Sequence, residues 1–267
     1  MKKKTTAKIL SQKSLAPGIY DMWLECDIAK DARAGQFIGV YPNDKSTLLP
    51  RPISICEADA SKSALRLVYR VAGKGTAEFS QYKEGDSLDV LGVLGNGYDL
   101  SLLKGKRVML MGGGIGIPPM LELAKELFCQ NEQLSVNEKS EIIIVVGYRD
   151  DKTFLKEDLE KYGKVYMASE DGSVGTKGNV MNAVEAEGIE ADVICACGPM
   201  PMLRAIKIFA AEKNIPAYIS LEEHMACGVG ACLGCVVKTK EVDHHSHVNN
   251  ARICTDGPVF LAEDVEI

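Results

Sequence analysis

Four cysteines carry the most specific chemistry in this sequence. Cys227, Cys232, Cys235 and Cys254 stand at C-x4-C-x2-C-x18-C spacing. Three thiolates from one loop and a fourth from further along form the ligand pattern of a plant-type [2Fe–2S] cluster. Two irons and two sulfides need four soft anionic ligands, two to each iron. The loop must curl around such a centre. Gly228, Gly230 and Gly234 permit positive φ and let backbone N–H groups approach sulfur. Four cysteines also suit tetrahedral zinc, but zinc sites usually pair two short C-x2-C hairpins, and here there is one. Buried free thiols are a second plain reading, and the glycine-rich setting argues against it. A cluster passes one electron at a time, so the rest of the chain must supply what feeds it.

Further groups could bind phosphate. Arg51-Pro52-Ile53-Ser54 presents a guanidinium and a hydroxyl on one extended segment, stiffened by Pro52. In Gly73-Lys74-Gly75-Thr76 the glycines expose backbone N–H groups ahead of a short helix expected over 75–82. Each is a common turn or chance match when taken alone. Met111-Gly112-Gly113-Gly114-Ile115-Gly116-Ile117-Pro118-Pro119 reads G-x-G-x-x-P. Such a loop is weak by itself and gains weight between a strand and a helix. Cys197-Gly198-Pro199-Met200 closes a later strand. In open α/β sheets ligands bind at the carboxyl ends of strands.

These groups need elements to hold them. Short strands are expected over 8–12, 19–26, 36–41, 52–56, 65–71 and 87–91, separated by turn residues, which suggests a small antiparallel barrel. The period then changes. Strands over 107–111, 141–148, 165–168, 193–197 and 217–221 alternate with helices over 118–129, 154–162, 179–187 and 200–213. That alternation implies a parallel sheet covered on both faces. The polar segment 169–175 follows the third of these strands, as a dinucleotide contact or a plain loop.

Composition is that of an ordinary globular chain: 267 residues, 46% hydrophobic, 25% charged, formal net charge −6. No basic block follows the first residues, so nucleic-acid binding is not expected. No apolar run approaches the roughly 20 residues of a membrane span, and Met1-Lys2-Lys3-Lys4 lacks the apolar stretch of a secretory signal. Cys26, Cys56, Cys129, Cys195 and Cys197 are expected as small core residues in a reducing cytoplasm.

Taken in order, the barrel motifs resemble the FAD domain of the ferredoxin–NADP reductase superfamily. The resemblance implies flavin contacts at Arg51, Pro52, Ile53, Ser54, Val68, Tyr69, Arg70, Gly75 and Thr76. G-G-G-I-G-x-P-P followed by C-G-P-M resembles the nicotinamide half of the same superfamily. It implies Gly112, Gly114, Gly116, Cys197, Gly198 and Pro199 there, with the cysteine near the nicotinamide. With Met225-Ala226-Cys227 and the rest of the cluster loop, nearly the whole chain is similar to the electron transfer subunits of B-type dihydroorotate dehydrogenases.

That family implies an antiparallel FAD-binding β-barrel over 1–100, a parallel-sheet NAD-binding α/β domain over 101–220, and a small C-terminal [2Fe–2S] module over 221–267. It implies an oxidoreductase of pyrimidine biosynthesis in which FAD mediates between NAD and the cluster. The partner would be an FMN-containing catalytic subunit oxidising dihydroorotate to orotate, in a cytoplasmic heterotetramer with two of each chain. No acid–base or nucleophile constellation is visible, so no catalytic side chain is expected here. NAD is preferred because no Arg/Lys cluster awaits a 2′-phosphate, although Arg149 keeps NADP open. Two alternatives share the motifs: a flavin subunit of a ferredoxin:NADP transhydrogenase or sulfhydrogenase, and a non-enzymatic redox sensor. The run His244-His245-Ser246-His247 departs from the pattern and reads as a solvated loop.

Overall fold

The structure, a computed structural model, describes residues 3–242 and 247–267. The N-terminal third is a closed antiparallel barrel. Its strands are β1 (Lys3–Ala16), β2 (Ile19–Glu25), β3 (Phe37–Tyr41), β4 (Arg51–Asp59), β5 (Ala64–Arg70) and β6 (Ser87–Leu94), in spatial order β1-β2-β5-β4-β3-β6. Alternation is clean in β6, where Leu88, Val90 and Leu94 point inward and the residues between them outward. Leu88 and Val90 join Ile9, Leu24, Ile38, Ile55, Leu65 and Leu67 in the barrel core, while Leu94 packs into the core of the neighbouring sheet. β1 is much longer than the expected 8–12. Residues 3–8 pair with β6 and residues 8–16 with β2, so backbone pairing on two sides extends a strand whose outer residues are polar. A short helix, α1 (Lys74–Phe79), bridges β5 and β6.

The middle of the chain is the expected α/β unit. β7 (Arg107–Gly113), α2 (Ile117–Glu132), β8 (Glu141–Tyr148), α3 (Lys156–Leu159), β9 (Lys164–Ser169), β10 (Thr176–Lys177), α4 (Val180–Ala186), β11 (Val193–Cys197), α5 (Met200–Lys213) and β12 (Ala217–Ser220) follow in chain order. Strand residues alternate between two cores. Met109, Met111, Ile143, Val145 and Ile194 face α4 and α5, while Val108, Leu110, Ile144 and Cys195 face α2. Both faces are therefore covered, as a parallel sheet requires. The helix expected over 154–162 shrinks to the four residues of α3. Leu155 stands in the left-handed region at φ 64°, and the Phe154 ring is held edge-on against Tyr148 at 5.5 Å, so the chain turns before it can wind.

The last segment gives β13 (Val236–Lys238), β14 (Asn250–Arg252) and β15 (Val259–Leu261), none of which was expected. β13 and β14 pair with each other. β15 pairs antiparallel with β12 and becomes the seventh strand of the large sheet, whose order is β10-β9-β8-β7-β11-β12-β15.

A polar seam joins barrel and sheet along α2. Ala58 N–H donates to Glu122 at 3.0 Å, Lys125 Nζ donates to the Ala58 carbonyl at 2.6 Å, and Ala34 N–H donates to Glu126 at 2.8 Å. Cys26, Cys56, Cys195 and Cys197 are buried as expected. Cys129 is not: it lies on the outer face of α2 and is exposed, because the apolar stripe of that helix turns inward at Leu123 and Leu127. His247 is exposed; His244, His245 and Ser246 lie outside the described residues. Among the described residues no helix is long and apolar enough to cross a membrane.

Candidate functional site: two adjoining cavities and a cysteine loop

The first cavity, about 410 Å³, opens on the barrel face turned toward the sheet. β4 supplies Arg51, Pro52, Ile53 and Ser54, and β5 supplies Val68, Tyr69 and Arg70. Thr76 lines it from α1. Arg51 makes no ion pair among the described residues; its Nη1 donates to the Leu49 carbonyl at 2.6 Å. Gly75 packs under that guanidinium, where an added Cβ would lie 2.8 Å from Arg51 Nε. Glycine is needed here for close approach, since α1 could not otherwise reach Arg51. The Thr76 hydroxyl is used locally. It accepts from Ala72 N–H and Gly73 N–H at 2.8 and 3.2 Å, fixing the loop that precedes α1. Tyr69 is buried, stacks on Tyr20 at 5.9 Å and donates to Gln12 at 2.9 Å. Burial pushes its phenol well above the usual range.

The second cavity, about 710 Å³, lies at the carboxyl ends of β7, β8, β9 and β11. The direction of strand succession reverses between β7 and β11, so this is the topological switch point of the sheet. Gly114 and Pro199 line it, with Gly113, Ile115 and Met202. Gly112, Gly116, Cys197 and Gly198 stand behind the wall. A Cβ at Gly112 would come within 2.9 Å of Ile117 Cα, and one at Gly116 within 2.6 Å of Gly198 N. The two glycine loops are thus interlocked, backbone against backbone. Cys197, expected beside the nicotinamide, stands at the end of β11 next to this cavity without lining it; burial pushes its thiol far up, and a hydrogen bond with Ser220 pulls it down. Arg149 lines the cavity with Asp150, Lys152 and Glu170, a mixed rather than a cationic rim.

Arg70 and Ile115 line both cavities, which therefore share a wall. On its other side the first cavity is closed by residues 220–225, the segment that runs straight into Cys227. Sequence reasoning missed this. Glu222 lines the cavity with its side chain open to solvent there; desolvation by the surrounding walls pushes its carboxyl up and Arg70 pulls it down. Phe37 and Pro258 complete the lining, and nothing in their local sequence marks them.

In the loop that follows, Gly228 and Gly230 adopt φ +66° and +82°. The third left-handed position falls on Leu233 (φ 55°) and not on Gly234. Val229 N–H and Ala231 N–H donate to Cys227 Sγ at 3.4 and 3.3 Å. Burial opposes ionisation of that thiol, but these N–H groups, with Cys232, hold it below the ordinary range. Pairing of β13 with β14 and the bond from Ile253 N–H to the Cys235 carbonyl (2.8 Å) bring Cys254 beside Cys235. Burial and the Cys235 thiol push Cys254 up. The thiols are thus grouped as Cys227 with Cys232 and Cys235 with Cys254. Among the described residues no three His, Cys, Asp or Glu side chains converge as a single ion would need. Paired thiols fit two irons better than one tetrahedral zinc.

Comparison with known proteins agrees with this geometry. The family described as "Iron-sulfur cluster binding domain of dihydroorotate dehydrogenase B" matches residues 222–266, and "Oxidoreductase NAD-binding domain" matches residues 110–207. The dihydroorotate dehydrogenase B (NAD(+)) electron transfer subunit of Streptococcus mutans is 42% identical over 260 residues, covering 96% of each chain. That of Bacillus pumilus is 41% identical over 271 residues, covering 99% of each. A solved NADH-dependent reduced ferredoxin–NADP oxidoreductase superposes with TM-score 0.84 at 28% identity, over 97% of this chain and 89% of that one. A ferredoxin NADP+ reductase from Neisseria gonorrhoeae, with bound FAD and NADP, shares the fold at TM-score 0.65 and 17% identity, over 79% of this chain and 91% of that one. At these identities over nearly its full length, the chain belongs to the family of dihydroorotate dehydrogenase B (NAD(+)) electron transfer subunits.

Proposed function

We propose that the chain moves electrons between NAD in the larger cavity and a partner subunit docked at the cysteine loop, by way of FAD in the smaller cavity and a [2Fe–2S] cluster on Cys227, Cys232, Cys235 and Cys254. One observation carries the order of these sites. The middle cavity shares Arg70 and Ile115 with the nicotinamide cavity, and its opposite wall is the segment that becomes the cluster loop. Flavin exchanges either a hydride or single electrons, the chemistry needed between a two-electron carrier and a one-electron centre.

The side chains bind and orient. Arg51, free of carboxylates among the described residues, offers its guanidinium to a phosphate, and Gly75 lets the backbone close on it. Ile53, Ser54 and the 68–70 edge of β5 form the wall for the ring system, with Pro52 stiffening the strand. Gly114 and Pro199 offer the nucleotide its surface, while Gly112, Gly116, Cys197 and Gly198 hold the two loops together behind it. The backbone N–H groups on Cys227 favour a thiolate. No side chain is assigned an acid–base step.

The partner, on this reading, is an FMN-containing catalytic subunit that oxidises dihydroorotate to orotate, in a cytoplasmic assembly of two of each chain. The three units divide at 100/101 and 220/221. The ferredoxin–NADP alternative is favoured less, since likeness to that oxidoreductase is 28% against 42% for the dihydroorotate dehydrogenase relative. The test is an absorption spectrum with acid-released flavin analysis, followed by NADH addition in the presence of a dye acceptor. FAD and cluster near equal stoichiometry, with NADH bleaching the flavin, are expected. A chain that binds no flavin, or whose flavin NADH leaves oxidised, overturns the assignment.

A further inference from the structure

Beyond β8 the chain doubles back as a strap over residues 149–159. Its first part walls the nicotinamide cavity through Arg149, Asp150, Lys152 and Phe154. The near end is fixed to the sheet, because the Tyr148 hydroxyl donates to the Phe154 carbonyl at 2.9 Å. Leu155 holds a left-handed φ of 64° with its side chain buried. A bulky residue other than glycine resists that conformation, so contacts on either side must maintain it.

The far end is fixed to the barrel. Asp158 Oδ2 accepts from Arg66 Nη1 at 2.9 Å. Arg66 is itself immobilised: Nε and Nη2 grip Asp21 at 3.0 and 2.9 Å, and Nη1 also reaches Glu57 at 3.3 Å. The Arg66 side chain is only 9% exposed, so this pair is shielded from the screening that weakens surface ion pairs. Four residues along the same strand, Arg70 lines both cavities. β5 therefore walls the flavin cavity with one end and anchors the strap with the other.

We propose that Arg66 and Asp158 are a positioning pair for the nicotinamide dinucleotide, pinning the 149–159 strap to the barrel so that the outer wall of the cavity is formed before the nucleotide arrives. This rests on the assignment of that cavity to NAD. A wall already in place spares the nucleotide the ordering of a loose segment, so the contribution falls on affinity. The rate of hydride transfer once the nucleotide is bound is left unchanged.

The test uses the full chain with its cofactors and Asp158→Ala. Arg66 keeps Asp21 in this variant, whereas removing Arg66 would strand the buried Asp21. Lys161→Gln is the control. Lys161 Nζ holds the same carboxylate at 2.6 Å, but it is 61% exposed and belongs to the sheet side of the seam. Stopped-flow flavin bleaching is followed against NADH concentration, and hydrogen exchange of strap amides is measured without nucleotide. In Asp158→Ala the half-saturating NADH concentration should rise about fivefold, with the limiting rate within about twofold of wild type. Strap amides should exchange faster. Asp158→Asn, which keeps an acceptor for Nη1, should recover part of the affinity, and Lys161→Gln should match wild type. Unchanged half-saturation and exchange in Asp158→Ala overturn the proposal, as does an equal shift in Lys161→Gln. A wild-type chain that NADH does not bleach overturns the cavity assignment instead, and the exchange data still read the anchor.

Discussion

Single residues here divide into those whose chemistry dictates spacing and those placed only by the fold. The four cysteines, Arg51 and Ser54 are of the first kind. Glu222, Phe37 and Pro258 are of the second, because a carboxylate or a ring brought to a cavity by distant chain carries no local signature. Among the described residues the Arg51 guanidinium has one carbonyl partner and no carboxylate, so its charge is open to a phosphate. Arg51→Ala should weaken FAD binding by about 1.5–3 kcal/mol, roughly ten- to a hundredfold, with the fold intact. Full flavin occupancy in the purified variant would contradict that role. Glu126 makes a pH prediction. Burial, opposed by Ala34 N–H and reinforced by Glu122, lifts its carboxyl from 4.5 to about 7. A raised folded-state value means that the contribution is complete below pH 4.5 and is lost as pH rises through about 7. Glu126→Gln keeps an acceptor for Ala34 and cannot ionise. Its Tm relative to wild type should therefore climb between pH 5 and 8, by on the order of 5 °C. A difference that stays flat across that range would show that Glu126 does not carry this burden.

Among elements, those with a strong hydrophobic period were legible and those made by pairing were not. β8 and α2 were readable because burial on both faces, or along one stripe, writes itself into the residue types. The outer reach of β1 and the whole of β13, β14 and β15 were hidden. Their strands are fixed by neighbours rather than by alternation, and β13 to β15 have only three residues each. The glycine loops were legible as a strand-to-helix turn, but not their interlock. Gly116→Ala tests it. The added methyl would press on the Cys197 carbonyl and come within 2.6 Å of Gly198 N, and backbone on both sides cannot yield cheaply. NADH-dependent bleaching should fall at least about tenfold while FAD content stays near wild type, as a shift of about 1 Å at a site can cost 100-fold. Normal NADH kinetics in that variant would mean that the loops give way.

For the whole molecule, the order of sites makes the two electron-transfer halves separable. Cys232 is exposed and pairs with Cys227, so Cys232→Ser should damage the cluster without disturbing the barrel or sheet cores. NADH should still bleach the flavin at a near-normal rate. Dihydroorotate-dependent NAD+ reduction with the partner subunit should drop roughly tenfold or more, because a hard oxygen ligand holds the cluster poorly. Persistence of that coupled activity in protein shown to lack the cluster would break the proposed route. Val229, Leu233 and Val236 stand exposed around the same loop, an apolar rim where such a partner could seat.

The seventh strand of the large sheet has a practical consequence for anyone dissecting the chain. β15 arrives from beyond the cysteines, pairs with β12 over Ser220, Ile219 and Tyr218, and covers the side of the sheet that would otherwise end there. Cutting the gene after Leu221 to obtain a flavin–nicotinamide fragment would not remove a dangling appendage. β12 would keep β11 on one side, but the donors and acceptors of its outer edge would lose their partner, leaving a bare edge, the template on which chains stack edge to edge into aggregates. A workable fragment must retain residues 259–261, grafted back by a linker, or place a proline or lysine on β12 to blunt it.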